Sequence, residues 1–144
     1  MNTNGKIFLA ITTSTVLAFF GGWLVFGYIF DEYYASNVNP TARVLVKPEP
    51  AIGPLFIATL AWSTLLTLLL HKTASITFKN GFITSLWISF CIMLIFDLNV
   101  YAFWDIYQLS FLTIDIFVGT LFWALTGGIA GWILGSGKKV IPVT

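Results

Sequence analysis

Charge is what this sequence has least of. Seven basic and six acidic residues make up 9 % of 144 positions, against about 25 % in a soluble domain. So little charge excludes a water-soluble globular fold. A formal balance of +1, spread along the chain, also excludes the dense basic patch that nucleic acid requires. The one cysteine, Cys91, excludes an intrachain disulfide and any multi-cysteine metal centre; inside an apolar run it reads as a small buried hydrophobe. The one histidine, His71, has no second imidazole with which to share a metal and no paired serine nucleophile, so it reads as a snorkelling interfacial side chain beside Lys72. Phosphate-binding and dinucleotide glycine patterns are missing, and Met93 alone is a poor haem ligand. No cofactor and no metal are expected. Of five prolines only Pro54 enters an apolar run, in its first turn, where the missing amide hydrogen costs little.

What is present is apolar. Hydrophobic residues are 58 % of the chain and the mean hydropathy is +0.90. Four continuous runs, about 7–30, 51–70, 81–103 and 109–134, each approach the roughly 20 helical residues that cross about 30 Å of hydrocarbon. The first is too long for the 7 to 15 residues of a cleavable signal core and is read as a span. Continuous runs rather than short alternating segments point to helices that satisfy their own backbone, not to a barrel. The fold class predicted is all-α, an antiparallel four-transmembrane-helix bundle forming a single domain over 1–144. Residues 31–50, with three prolines and Tyr33 and Tyr34, read as an ordered or semi-extended interfacial loop. Residues 72–79 and 104–108 read as short turns, the second anchored at the interface by Trp104 and Tyr107. Lys6, Lys72, Lys79, Lys138 and Lys139 fall on the side of both termini, Arg43 and Lys47 on the other. The positive-inside rule then makes both termini cytoplasmic in a bacterial inner membrane.

Helices in lipid associate through small residues that let backbones approach. The first run carries Ala10, Ser14, Ala18 and Gly22, and the fourth Gly127, Gly131 and Gly135, each spaced by four. Counted at about 1.5 Å per residue, both ladders lie in the inner half of the bilayer at matching depth. They are expected to pack against each other, within one chain or across a homo-oligomer interface. Asp115 lies on the opposite stripe of the fourth run with Gly119, Phe122 and Thr126, which makes that helix central, between two neighbours.

Asp97 and Asp115 sit within apolar runs. Asp97 is 17 residues beyond Asn80, about 25 Å from the inner boundary, and Asp115 is six beyond Leu109, about 9 Å below the outer one. The turn at 104–108 makes their helices neighbours, so the carboxyls are expected to face each other in the outer third. Like charge and loss of water both favour one shared proton over two charges. Tyr101, one turn beyond Asp97, is the expected partner, with Thr126 and Tyr28 as further donors; Asn99 points away. Three functions remain open. The pair binds a proton or cation in a small transporter-like or accessory membrane subunit without catalysis of its own; or it serves as acid and base in a membrane enzyme acting on a lipid headgroup; or the chain is a structural subunit that packs a partner through its glycine ladder.

The stretch FDLNVYAFWDIYQLSFLTIDIFVGT, residues 96–120, resembles the signature of a family of small four-helix bacterial membrane proteins known only as a domain of unknown function. That signature is aromatic-Asp-Leu-Thr-Asn, a short turn, then Val-Asp-x-x-Trp-Gly-Thr at the same spacing. Asp97, Leu98, Asp115, Gly119 and Thr120 match, while Asn99, Val100 and Val118 depart. FFGGWLVFGYIFDEYY, residues 19–34, is similar to the family's Trp-Leu segment and aromatic exit, without its usual acidic residue. The resemblance implies a four-span membrane protein and no particular activity.

Overall fold

The computed structural model describes residues 2–47 and 49–136. Helix α1 spans Thr3–Leu24 and continues through a π-helical turn at Val25–Ile29 to a short helix α2, Asp31–Asn37. A 3₁₀ turn at Pro40–Leu45 follows, then α3, Ile52–Lys72, α4, Phe78–Phe103, and α5, Leu109–Gly135. Four helices are long and apolar enough to cross a membrane: Thr3–Ile29, Ile52–Lys72, Phe78–Phe103 and Leu109–Gly135. The chain is a multi-pass helical membrane protein with an all-α bundle.

Capping sets the ends of the first and third spans. Asn2 precedes α1 and its side-chain oxygen accepts the Gly5 N–H at 2.9 Å, so the helix starts ahead of the apolar run. Thr77 does the same for the Asn80 N–H at 3.1 Å and starts α4 at Phe78. Each cap satisfies a backbone donor that the first helical turn leaves open. The α3–α4 turn is a Schellman closure: the Ser75 N–H donates to Leu70 O at 2.9 Å and the Ala74 N–H to His71 O at 3.3 Å. Ala74 takes the left-handed position, φ 53°, where glycine is usual.

The packing is inverted relative to a water-soluble bundle. Trp23, Trp87, Trp132, Phe20 and Phe117 are exposed on the perimeter, where lipid tails are as apolar as any core. The buried set is small or hydroxylated: Ala10, Ala18, Ala124, Ala130, Ser14, Ser63, Thr67, Ser85 and Ser89. Leu66, Leu70 and Leu134 complete an apolar cluster with Ala10 and Ala130 that joins α1, α3 and α5. Helix α5 is central: it touches α1, α2, α3 and, most extensively, α4.

The two small-residue ladders do not meet. A Cβ on Gly131 would lie 2.7 Å from Thr77 O, 2.8 Å from Ser75 O and 3.0 Å from the Gly81 Cα; one on Gly127 would strike the Ser85 side chain, and one on Gly135 Ile76 O. The α5 glycines Gly127, Gly131 and Gly135 therefore seat α4 and the α3–α4 turn, not α1. The ladder of α1 is buried at Ala10, Ser14 and Ala18 between α3 and α5, and Gly22 lies under the Phe122 ring. Helices α1 and α5 do touch, but through Phe122 and Ala130. Equal depth was the ground for pairing the ladders, and depth says nothing of rotation about the helix axis. Both ladders are occupied within the chain.

The connection after the first span is ordered, with a helix at Asp31–Asn37 and a 3₁₀ turn at Pro40–Leu45. Asp31 and Glu32 open α2, where negative charge complements the helix N-terminus. Cys91 is exposed, not buried. His71 is exposed at the end of α3. Lys138 and Lys139 lie outside the described residues.

Candidate functional site

Helices α4 and α5 leave the 104–108 turn side by side, and the turn brings Asp97 and Asp115 together. The two carboxyls lie close enough for the charge of Asp115 to be felt at Asp97. Asp97 is 4 % exposed, and its Oδ2 atom has no hydrogen-bond partner; Asp115 is half-buried. A carboxylate only accepts, so contact between two carboxyls becomes a hydrogen bond only when one carries a proton.

The partner of Asp115 comes from an unexpected element. Tyr34, on α2, donates its hydroxyl to Asp115 Oδ1 at 2.6 Å, the short distance of a hydrogen bond to a charged acceptor. Its ring is clamped by Phe111 at 4.7 Å between centroids, Phe26 at 5.9 Å and Phe30 at 6.3 Å. Tyr107 stacks on the other side of Phe111 at 4.4 Å. Burial first, then the hydrogen bond and the charge of Asp115, push the Tyr34 hydroxyl well above its ordinary value of 10.0. Burial and Asp115 do the same to Tyr107. Both phenols therefore stay protonated, and Tyr34 stays a donor.

The cover is pinned to the 104–108 turn by backbone and amide bonds. Val38 and Tyr107 form an antiparallel bridge. The Asn39 N–H donates to Ile106 O at 2.9 Å and the Gln108 N–H to Asn37 O at 3.3 Å. The Asn39 side-chain amide reaches the Asp105 carboxylate at 2.5 Å, and Tyr33 donates to Ser110 O at 3.3 Å. Helix α2 thus lies across the N-terminal end of α5 as a lid over Asp115.

Of the residues expected around the pair, Asp97 and Asp115 meet and Tyr101 does not join them. Tyr101 is 48 % exposed and makes no hydrogen bond among the described residues; one turn beyond Asp97, its ring leaves on the perimeter while the carboxyl enters the bundle. Tyr28 is also exposed, and Thr126 donates to its own helix at Phe122 O, 3.0 Å. Asn99 turns away and bonds Ile95 O at 2.7 Å. The residue missed was Tyr34. The run of aromatics at 26–34 was its only sequence signal, and the register that aims it is set by the π turn.

Among the described residues no cluster of three or more His, Cys, Asp or Glu side chains could hold a metal. A cleft of about 770 Å³ between α4 and α5 is lined by Trp87, Phe90, Leu94, Leu98, Phe117 and Leu121 among others. Its lining is apolar and includes neither carboxyl. In comparisons with known proteins, the chain matches no family model, no curated protein and no solved structure.

Proposed function

We propose that the chain is a small transporter-like or accessory component of a bacterial inner membrane, in which Asp97 and Asp115 together hold and release a proton. One observation carries the reading: the Asp97 Oδ2 atom is buried and unpartnered beside a second carboxyl. Among the described residues every lysine and arginine lies at a helix end or in a connection, at 6, 43, 47, 72 and 79, so none of them puts a cation within the spans. In such surroundings one shared proton costs less than two charges, and ionisable groups inside a membrane are by default functional candidates. The distribution of lysines supports a cytoplasmic side for both termini. Kinship with the four-helix family, on Asp97, Leu98, Asp115, Gly119 and Thr120, belongs to the same reading.

The test is proton flux in liposomes loaded with a pH-sensitive dye, comparing wild type with Asp97→Asn and Asp115→Asn. Both variants are expected to lose flux; equal flux in all three removes the transport reading. A hydrophobic carbodiimide, which attacks protonated carboxyls in apolar surroundings, is expected to label Asp97 in the wild type. The 2.6 Å Tyr34–Asp115 bond favours one second reading, a lock on helix register. Under it Asp115→Asn lowers thermal stability while no flux is seen in any form.

A further inference from the structure

The seam between α4 and α5 is narrow and its flank is tall. Gly81, Ser85 and Ser89 are buried on α4, with the Ser85 side chain against Gly127 and Met93 across Gly119. Small residues in the seam let the two backbones approach. Beside it the residues are bulky. Every fourth residue from Leu86 to Leu98 on α4, and from Leu109 to Leu121 on α5, lines the cleft of about 770 Å³, and all of these but Thr113 are large and apolar. Residues four apart share a helix face, so two rows of side chains stand as facing walls with the seam as their floor.

The dimensions of the cleft select what fills it. Each wall is about 18 Å long at about 1.5 Å per residue. Leu98 and Leu109 stand at the 104–108 end of their spans, so the cleft starts near the lid-side boundary and runs roughly the depth of one leaflet, half of about 30 Å of hydrocarbon. Its volume over that length leaves a mean section of about 43 Å², whereas an α-helix 10 to 12 Å across needs roughly 80 to 110 Å². A neighbouring span does not enter. A hydrocarbon chain is about 4 to 5 Å wide, set by carbon contacts near 4 Å, so two chains side by side fill the section. None of the described lining residues is charged. Thr113 gives its hydroxyl to Leu109 O at 3.1 Å, and the Thr120 oxygen is buried beneath the surface. At the lid-side end a shallower groove of about 380 Å³ shares Leu94 and Leu98 with the cleft and continues to Asn99 and Ala102. Asn99 donates its amide to Ile95 O at 2.7 Å, which leaves its side-chain carbonyl as an acceptor. Apolar depth with a polar exit at the membrane boundary is the profile of an amphiphile.

We propose that the α4–α5 cleft is a binding site for one phospholipid of the lid-side leaflet, its two acyl chains lying along the cleft and its headgroup at the Asn99 end. The site does not depend on the proton reading, since neither carboxyl lines it. Chains held there differ from the lipid around the rest of the bundle. A chain on an open helix face meets protein on one side, whereas one in the cleft meets two walls, which about doubles its dispersion contacts. The lipid also braces α4, which leans on α5 with little support from α3.

The experiment is photocrosslinking of the full chain in vesicles of phosphatidylethanolamine and phosphatidylglycerol, doped with a phospholipid that carries a diazirine midway along one chain. Adducts are located by mass spectrometry of the peptides. Phe20 and Trp23 on α1 and Ile57 on α3 are exposed on the perimeter in the same half of the bundle, and they report ordinary surrounding lipid. Adducts on Leu94 and Phe117 are expected to exceed those on the three controls about tenfold. Moving the diazirine to the chain end is expected to shift them inward, to Leu86 and Leu121. Equal labelling of cleft and perimeter overturns the site, because the cleft then holds only passing lipid. Weaker labelling of the cleft than of the perimeter also overturns it and marks a second copy lying over the cleft. Leu121→Trp, which narrows the inner end, is expected to abolish the excess; an excess that survives it does not come from the cleft and rejects the proposal. Should Leu121→Trp misfold, the wild-type map decides alone.

Discussion

Tyr34 reaches Asp115 across 81 positions of sequence, and its hydroxyl makes the deepest of the bonds that tie the lid to α5. Tyr34→Phe keeps the ring stacking and removes the donor, so it is expected to lower stability by about 1 to 3 kcal/mol, read as a lower thermal midpoint in detergent. Tyr101→Phe, on the perimeter, is expected to stay within about 0.5 kcal/mol of wild type. The phenols also set an alkaline limit. Tyr34 and Tyr107 are pushed above 10.0, so the folded state holds these protons more tightly than the unfolded chain. Their contribution is complete below about pH 10 and is lost as pH rises beyond it. Ultraviolet titration is expected to show two of the five tyrosines ionising above the ordinary phenol range in the folded protein. The shared level of Asp97 and Asp115 was legible in the sequence, because two helices joined by a five-residue turn fix their relative depth. The tyrosine that bonds Asp115 was not: Tyr101 has the right spacing, but the rotation of α4 sends its ring outward.

Between elements, the tightest seam joins α5 to α4 and the turn before it. The atoms a Cβ on Gly131 would meet are all backbone, at 2.7, 2.8 and 3.0 Å, and no rotamer can relieve them. Gly131→Ala is therefore expected to destabilise the bundle by about 1 to 3 kcal/mol. Gly53, in the first turn of α3, has nothing within 4 Å of its Cβ position. Gly53→Ala is expected to be neutral or to stabilise by up to about 1 kcal/mol through the unfolded chain. Thermal unfolding of the two variants side by side checks both signs. The glycine ladder was evident as a packing surface from its spacing alone. Its partner was hidden because Gly81, Ser85 and Ser89 are small residues scattered among bulky ones, and a serine does not advertise close approach as a glycine does.

Across the whole molecule, the residue types face the reverse way from a soluble bundle. Trp23, Trp87 and Trp132 lie outside and Ser14, Ser63, Ser85 and Ser89 inside, and the low charge content already implied as much. The four spans also fix topology: residues before α1 and those of the α3–α4 turn share one side, and the lid and its loop lie on the other. In a Cys91→Ala background, cysteines at Asn4 and Lys72 are expected to react with an impermeant maleimide from the same face, and one at Thr41 from the opposite face. Labelling of all three from one side would contradict four crossings. The irregular link between α1 and α2 was not visible in the sequence, because the apolar run passes through it without a proline or a polar break.

That link is where the molecule keeps its aim. A π turn is an α-helix carrying one surplus residue, closed here by the Phe30 N–H on Val25 O at 3.0 Å. The turn absorbs that residue locally; were residues 25–29 wound as ordinary α-helix instead, everything downstream would swing by nearly one residue step, about 100°. No side chain at the site would change, yet Tyr34 would face away from Asp115. Whether the lid latches is in this sense a matter of counting: α1 carries one residue more than its winding needs, and the π turn takes it up.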